Sequence, residues 1–174
     1  MIPEGFTILI DQPTIAARIR EMATALLNDI GEQPVTFVGI LDGALFFMTD
    51  LIRAVGRDVQ IDFLRISSYG GGMESGELKM LSGLTWNIAG RQVILVDDIL
   101  DSGKTLAFCE SYMHKIGAAG VRSAVLLAKE REREYLLNDP LIGFTIPDKF
   151  VIGYGMDWEG RFRHLQDIYH LEKQ

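Results

Sequence analysis

The stretch VILVDDILDSGKTL, residues 93–106, contains the strongest structural signal in the sequence. Its opening residues, Val-Ile-Leu-Val, form a short apolar run of the kind found in buried parallel strands. Asp97, Asp98 and Asp101 follow, and the segment continues into a Ser-Gly-Lys-Thr turn. Ligands of open α/β sheets bind beyond the carboxyl ends of the strands. We therefore expect residues 97–105 to lie at a ligand site.

The turn at residues 101–105 leads into a predicted helix, TLAFCESYMHKIGAAG. Free backbone N–H groups and the positive end of a helix dipole make such a turn suitable for a monophosphate. The hydroxyls of Ser102 and Thr105 would add hydrogen-bond donors, and Gly103 would let the backbone approach the anion closely. A triphosphate-binding P-loop is excluded, because Asp98 stands where that motif needs a glycine.

The acids before this turn are too numerous for a purely local structural role. One aspartate would suffice to cap the next helix, and Asp101 could be that cap. Carboxylates accept hydrogen bonds from ribose hydroxyls, and magnesium prefers oxygen ligands. The predicted chemistry is therefore that of a sugar, a phosphate and Mg²⁺, with the paired Asp97 and Asp98 as the main candidates.

The rest of the chain alternates predicted strands and helices. Apolar residues at helical spacing predict a helix from Ile15 to Ile30, starting near Asp11. Further segments are predicted as strands at 35–41, 60–67, 91–98 and 121–129, and as a helix in ALFFMTDLIRAVG. This alternation predicts an α/β fold with a mostly parallel sheet covered on both faces. The stretch SYGGGMESGE is predicted to lack regular structure, because of its four glycines.

The composition is that of a single globular domain. With 174 residues, of which 48% are hydrophobic, we expect residues 1–174 to form one domain. The net charge of −7 argues against nucleic acid or an anionic membrane surface as a partner. The lone Cys109 suits a reducing compartment, and no signal peptide or membrane-length apolar run is evident. We therefore expect a cytoplasmic protein.

VILVDDILDSGKTL also resembles the phosphoribosyl-pyrophosphate signature of type I phosphoribosyltransferases. Other segments narrow the resemblance to the 6-oxopurine branch, the hypoxanthine-guanine phosphoribosyltransferases: GILDGALFFMTDLIR, DFLRISSYGGGMESGELKML, AVLLAK and IPDKFVIGYGMDWEGRFRHL. The matching blocks run in the family's order from about residue 35 to 167. The resemblance implies the type I fold with a small hood from the terminal segments. It also implies a magnesium-dependent glycosyltransferase of purine salvage that forms IMP or GMP, as a homodimer or homotetramer.

The resemblance also implies roles for the central motif. Asp97 and Asp98 would hold the 2′- and 3′-hydroxyls of the ribose. The 5′-phosphate would bind to the turn formed by Asp101, Ser102, Gly103, Lys104 and Thr105. Asp101 would in addition be the catalytic base at purine N7, where a carboxylate offsets the positive charge that develops as N9 attacks C1′.

Two further segments resemble the family's pyrophosphate loop and lid. Leu41-Asp42-Gly43 matches the loop, which is a cis-peptide turn in the family, and Arg163 matches the arginine that binds pyrophosphate. Asp42 departs from the pattern, because a basic residue is common there. Ser68 and Tyr69 match the tip of the lid, which Gly70, Gly71 and Gly72 would make flexible. Such a lid would shield the reacting centre from water.

The purine site is implied by residues near the end of the chain. Lys129 would donate to O6, and because an ammonium cannot accept a hydrogen bond it favours a 6-oxo over a 6-amino group. Phe150 would stack on the base, the Val151 backbone would meet its edge, and Asp157 would lie near the base and a second magnesium. The implied metal ligands are thus Asp97, Asp98 and Asp157. Lys149 is expected to be structural or exposed.

Two alternatives remain at this point. One is a phosphoribosyltransferase for a pyrimidine or adenine, which Lys129 and Phe150 disfavour. The other is a regulator that senses the sugar donor and binds RNA. Such a regulator needs a basic face, which the net charge of −7 disfavours.

Overall fold

The structure is a computed structural model that describes residues 2–69 and 77–172. Along these residues the elements are β1 (Phe6–Ile10), α1 (Gln12–Ile30), β2 (Val35–Leu41), α2 (Leu45–Val55), β3 (Gln60–Tyr69), β4 (Glu77–Ser82), β5 (Gln92–Leu100), α3 (Lys104–Lys115), β6 (Gly120–Lys129), β7 (Leu141–Ile146), β8 (Val151–Ile152) and β9 (Ile168–Leu171).

Six of the strands form the central sheet, in the order β4-β3-β2-β5-β6-β7. All neighbouring pairs are parallel except β3 with β4, which is antiparallel. The predicted α/β fold with a mostly parallel sheet is therefore confirmed. The chain moves outward from β2 to β3 and then returns to the other side of β2 as β5. The carboxyl ends of β2 and β5 consequently flank a topological switch point, where ligands bind in such sheets.

The helices cover both faces of this sheet. Successive residues of β5 point to opposite faces, so Ile94 and Val96 pack in the cluster with α1 and α2, whereas Val93 and Leu95 pack in the cluster with α3. Helix α1 starts where the sequence predicts, because the Asp11 carboxylate accepts a hydrogen bond from the Thr14 N–H at 2.9 Å. Within the described residues, no helix is long and apolar enough to cross a membrane.

A second, three-stranded sheet in the order β1-β9-β8 is built from the two ends of the chain. Strand β9 runs antiparallel to both of its neighbours and pairs Phe6 of β1 with Leu171. This small sheet matches the expected hood from the terminal segments. It brings Val151, and Phe150 just before it, toward the carboxyl edge of the central sheet.

Several boundaries differ from the sequence prediction. Strand β5 ends at Leu100, two residues beyond the predicted range 91–98, so Asp97 and Asp98 lie within the strand. Strand β3 extends to Tyr69 and β4 begins at Glu77, so both ends of the glycine-rich stretch are strand. Backbone pairing explains both extensions, since β5 is hydrogen-bonded between β2 and β6 while β3 and β4 pair with each other. The glycines at positions 70–72 lie outside the described residues.

Candidate active site

The adjacent acids Asp97 and Asp98 line two different cavities. Asp97 lines a cavity of about 70 Å³ together with residues 99–106. Asp98 points to the other face of β5 and lines a cavity of about 270 Å³. Because they lie on one strand at the switch point, the two carboxylates are held side by side between these cavities.

Burial dominates the electrostatics of this acid pair. Burial, and then the charge of Asp98, raises the pKa of Asp97 well above its ordinary value. Burial also raises the pKa of Asp98, and the positive charge of Arg163 partly opposes that rise. Among the described residues, neither carboxylate has a salt-bridge partner within 4.0 Å. The pair is therefore suited to a ligand that brings hydroxyl donors or a cation.

The turn before α3 has the backbone geometry of an anion site. Gly103 is the N-cap of α3 and has φ 84°, in the left-handed region that favours glycine. A Cβ there would lie 2.6 Å from the carbonyl oxygen of Tyr135, so the position excludes a side chain for a second reason. Ser102, Lys104 and Thr105 line the smaller cavity around this turn.

Asp101 does not cap α3, which corrects the capping alternative. The N-cap, Gly103, makes no side-chain cap hydrogen bond. The Asp101 carboxylate instead turns toward β6, with Oδ2 at 3.2 Å from Lys129 Nζ and Oδ1 at 2.6 Å from Arg131 Nη1. This carboxylate consequently faces the larger cavity, where a base could reach it.

The turn at residues 41–43 lies against the acid pair. Its Leu41–Asp42 peptide bond is cis. A Cβ on Gly43 would overlap the carboxylate of Asp98, so a larger residue here would displace that carboxylate. The Asp42 carboxylate accepts a hydrogen bond from Arg65 Nη2 at 2.5 Å, and Arg65 is the β3 residue beside Leu41 in the parallel register. The charge of Asp42 is thus balanced by the neighbouring strand.

Arg163 lies near the turn at 41–43 and the larger cavity. Its Nη1 donates to the carbonyl oxygen of Gly155 at 2.5 Å, and its Nη2 lies 2.7 Å from Asp157 Oδ1. Gly155 in turn packs so closely on the Gly43 carbonyl that a Cβ would overlap it. The structure therefore brings the two predicted pyrophosphate elements together with Asp157.

The larger cavity gathers the predicted purine residues. It is lined by Asp98, Ile99, Asp101, Lys129, Lys149, Phe150, Val151, Met156 and Asp157. Phe150 is 48% exposed, and its ring is supported by edge contacts with Phe6 at 6.3 Å and Trp158 at 6.5 Å between centroids. A flat, exposed aromatic face beside two ammonium groups and three carboxylates is suited to a planar base with polar edges.

Several residues at this site were missed by the sequence reasoning. Lys149, expected to be structural or exposed, lies 3.3 Å by its Nζ from His170 Nδ1 and also lines the cavity. Arg131 belongs to the charged run EREREY, which gave no signal that separates it from a solvated face. Arg65 and Asp148 likewise carry no local signal, because their contacts depend on strand register and loop position.

Ser68 and Tyr69 occupy the end of β3, where they pair with Leu78 and Glu77 at the start of β4. Their predicted lid role stays a prediction. The glycines expected to make the lid flexible lie outside the described residues.

Comparison with known proteins identifies the family. The family model named "Phosphoribosyl transferase domain" matches residues 6–159, and the chain belongs to that family. The hypoxanthine-guanine phosphoribosyltransferase of Aquifex aeolicus is 38% identical over 167 residues, covering 95% of this chain and 94% of the relative. The hypoxanthine phosphoribosyltransferase of Escherichia coli K12 is 39% identical over 165 residues, covering 92% of each chain. Within the family, the chain thus falls in the hypoxanthine-guanine branch.

Solved structures show the same fold. A crystal structure of a hypoxanthine phosphoribosyltransferase from Staphylococcus aureus has a TM-score of 0.90 and 33% identity, covering 95% of this chain and 91% of that chain. A hypoxanthine phosphoribosyltransferase from Trypanosoma cruzi also has a TM-score of 0.90, with 31% identity, covering 99% of this chain and 94% of that chain.

Proposed function

We propose that this phosphoribosyltransferase transfers the 5-phosphoribosyl group from phosphoribosyl pyrophosphate to N9 of hypoxanthine or guanine. The products would be IMP or GMP and pyrophosphate, as purine salvage requires. One observation carries the proposal: Asp101, Lys129 and Phe150 line one cavity with Asp98, beside the smaller cavity formed by the turn before α3. The names of the matched relatives support the same choice of substrates.

The sugar donor would bind across the acid pair. Asp97 and Asp98 would accept hydrogen bonds from the ribose hydroxyls. Both carboxylates are buried, so their charge is costly without a partner, and the ribose hydroxyls would reduce that cost. The 5′-phosphate would occupy the turn formed by residues 101–105, with Ser102, Gly103, Lys104 and Thr105 around it. Backbone N–H groups at the start of α3 would supply most of its hydrogen bonds.

The purine would occupy the larger cavity. Phe150 would stack on its face, the Val151 backbone would meet its edge, and Lys129 would donate to O6. As N9 attacks C1′, positive charge grows on the base, and Asp101 would stabilise that charge and take the proton at N7.

The leaving diphosphate would bind between the turn at residues 41–43 and Arg163. A guanidinium presents planar donors that match phosphate oxygens, and Arg163 is already oriented by Gly155 and Asp157. Ser68 and Tyr69 would contribute to a lid that keeps water from C1′.

The residues of the site fit Mg²⁺. Asp97, Asp98 and Asp157 offer the oxygen ligands that Mg²⁺ prefers; Asp97 and Asp98 would hold one ion, and Asp157 would lie near a second. In the part of the chain that the structure describes, no three His, Cys, Asp or Glu side chains could hold a metal by themselves. The ion would therefore share its coordination with the donor's oxygens and water. When bound, it would neutralise charge on the leaving diphosphate.

Three broader features belong to the same proposal. Residues 1–174 would act as a single phosphoribosyltransferase domain. A cytoplasmic location is proposed because the highly charged donor cannot cross a membrane unaided. A homodimer or homotetramer is proposed from the family resemblance.

The alternatives are weaker on specific grounds. A transferase for adenine or a pyrimidine would leave the Lys129 ammonium facing a base without a matching 6-oxo acceptor. An RNA-binding regulator conflicts with the net charge of −7, so no nucleic-acid partner is proposed.

The test is nucleotide formation by the purified protein with magnesium and phosphoribosyl pyrophosphate, across hypoxanthine, guanine, xanthine, adenine and uracil. We expect turnover with 6-oxopurines alone. Asp101→Asn should lower kcat by about 10²- to 10⁴-fold while the donor still binds. Turnover with adenine or uracil would overturn the assigned base, and near-normal turnover of the variant would overturn the role of Asp101. Donor binding without any turnover would favour the regulator.

A further inference from the structure

Four charged side chains of alternating sign form a cluster beside the larger cavity, and two of them, Asp101 and Lys129, line it. Lys129 Nζ lies 3.2 Å from Asp101 Oδ2 and 3.0 Å from Asp148 Oδ1. Arg131 Nη1 lies 2.6 Å from Asp101 Oδ1 and 3.8 Å from Asp148 Oδ2. Each cation therefore contacts both acids, and we call this set of four residues the charge ring.

The members of the charge ring come from three separate segments. Asp101 follows β5, Lys129 ends β6 with Arg131 just beyond it, and Asp148 follows β7. Since β6 lies between β5 and β7 in the sheet, the ring joins the carboxyl ends of three neighbouring strands. Because the ring spans three strands, no local sequence pattern indicates it.

Counting donors shows what the ring does to Lys129. An ammonium has three N–H donors, and Asp101 and Asp148 occupy two of them. One donor is left, and because the Lys129 side chain is only 15% exposed, its freedom to turn elsewhere is limited. Without Asp148, a second donor would be released and the ammonium could rotate about its stem.

Counting acceptors shows the same for Asp101. Its two oxygens have different partners, Arg131 on Oδ1 and Lys129 on Oδ2. The short contact to Arg131 orients the carboxylate plane, so that Oδ2 lies beside the Lys129 ammonium. A donor and an acceptor are thereby presented side by side at the cavity wall.

Asp148 remains charged while it holds this arrangement. The hydrogen bond and the charge of Lys129, followed by the charge of Arg131, hold the pKa of Asp148 below its ordinary value. The side chains of Asp101, Arg131 and Asp148 are 43%, 44% and 47% exposed. Partly exposed ion pairs contribute little to stability, so orientation is the more important consequence of these contacts.

We propose that Arg131 and Asp148 are positioning residues that hold Lys129 and Asp101 as a matched donor and acceptor for the O6–N7 edge of the purine. These two atoms lie side by side on one edge of a 6-oxopurine, so both must be met at once. Neither Arg131 nor Asp148 needs to touch the base. The inference rests on the proposed function and deepens its account of base selection.

The experiment compares Arg131→Met, Arg131→Lys and Asp148→Asn with the wild-type enzyme. Matched controls are Asp139→Asn, whose carboxylate is 89% exposed on the segment before β7, and Arg20→Met on the exposed face of α1. The measured quantities are kcat and KM for hypoxanthine, KM for phosphoribosyl pyrophosphate, and the inhibition constant of adenine as a competitor of hypoxanthine.

We expect Arg131→Met and Asp148→Asn each to lower kcat/KM for hypoxanthine by about 10-fold, the effect of losing one charge-assisted hydrogen bond. KM for phosphoribosyl pyrophosphate should stay within about 2-fold, because neither Arg131 nor Asp148 is among the residues proposed to bind it. Arg131→Lys should recover most of the loss, and Asp148→Asn should narrow the ratio of the adenine inhibition constant to the hypoxanthine KM by about 10-fold.

Two results would overturn the inference. One is that Arg131→Met and Asp148→Asn show the same kcat, KM values and base selectivity as the control variants. The other is equal loss of donor and purine affinity, which would indicate a general structural defect and not positioning of the base-reading pair. The wild-type enzyme in the same assay separates the two proposals. If it forms no nucleotide with any base, the proposed function fails, whereas active wild-type enzyme with unaffected variants refutes the positioning role alone.

Discussion

Removing Arg65 should weaken binding of phosphoribosyl pyrophosphate, although Arg65 is not among the residues proposed to bind it. Asp42 belongs to the turn proposed to hold the diphosphate, and Arg65 Nη2 lies 2.5 Å from its carboxylate. In Arg65→Met the carboxylate would lose its counter-charge. It would then repel the incoming diphosphate.

The size of this effect follows from simple electrostatics. The two side chains are 53% and 46% exposed, so a dielectric constant close to that of water applies. One pair of unit charges about 8 Å apart in water interacts by about 0.5 kcal/mol. A diphosphate with two or three uncompensated charges would then be repelled by about 1–1.5 kcal/mol, or roughly 5- to 10-fold in KM. At about 0.15 M ionic strength, screening should reduce this to roughly 2-fold.

The assay is the initial rate of IMP formation against donor concentration at low and at physiological ionic strength. Four proteins are compared: wild type, Arg65→Met, Asp42→Asn and the double variant. Asp42→Asn alone should leave donor KM unchanged or lower it, and the double variant should return close to wild type. Arg53→Met is the control. This arginine lies near the carboxyl end of α2, is 77% exposed, and makes only a long ion pair, with 3.8 Å between its Nη1 and Asp50 Oδ1.

An unchanged donor KM for Arg65→Met at low salt would refute the role of Arg65 as the counter-charge of Asp42. A double variant as impaired as Arg65→Met would refute it too, because the defect would then not come from the exposed charge of Asp42. An effect that does not change with salt would also contradict the electrostatic origin.

Three other predictions concern stability and reactivity. Gly103→Ala should destabilise the fold by about 1–3 kcal/mol and abolish donor binding, since φ is 84° and a Cβ would lie 2.6 Å from the Tyr135 carbonyl; an unchanged Tm in thermal unfolding would contradict this. Tyr154→Phe removes the 2.5 Å hydrogen bond to the half-exposed Asp50 and should lower Tm by about 2–4 °C, with activity retained in the surviving folded enzyme. Burial raises the pKa of Cys109 to about 12, so at pH 8 its thiol stays protonated and iodoacetamide should label it only in urea; rapid labelling of the folded protein, followed by mass spectrometry, would refute this.

Much of the fold could be predicted because its signals are local. The run at residues 93–96 and the helical spacing between Ile15 and Ile30 encode burial within a few residues of chain. Strand β1 could not be predicted in the same way. Its partner, β9, lies 163 residues away at the Thr7–His170 pair, and no local pattern records such a pairing.

The candidate site divides along the same line. The acids, glycine and hydroxyls at residues 97–105 are close in sequence, and together they predict a site for one ligand. Asp42 illustrates the opposite case. By sequence it is an unfavourable charge in an anion site, and only its position beside Arg65 across the parallel β2–β3 register balances it.

The sequence by itself determined the α/β class and indicated a candidate anion-binding turn at residues 101–105, because both follow from residue types within short spans. The roles of Lys129 and Phe150 at the base come from the family resemblance and stay predictions. The tertiary structure alone decided which charges oppose one another. The order of β5, β6 and β7 brings Lys129 Nζ within 3.2 Å of a carboxylate oxygen of Asp101 and of Asp148. Coulomb interactions depend on distance in space, and strand order, which brings distant residues together, is set by burial of the whole sheet.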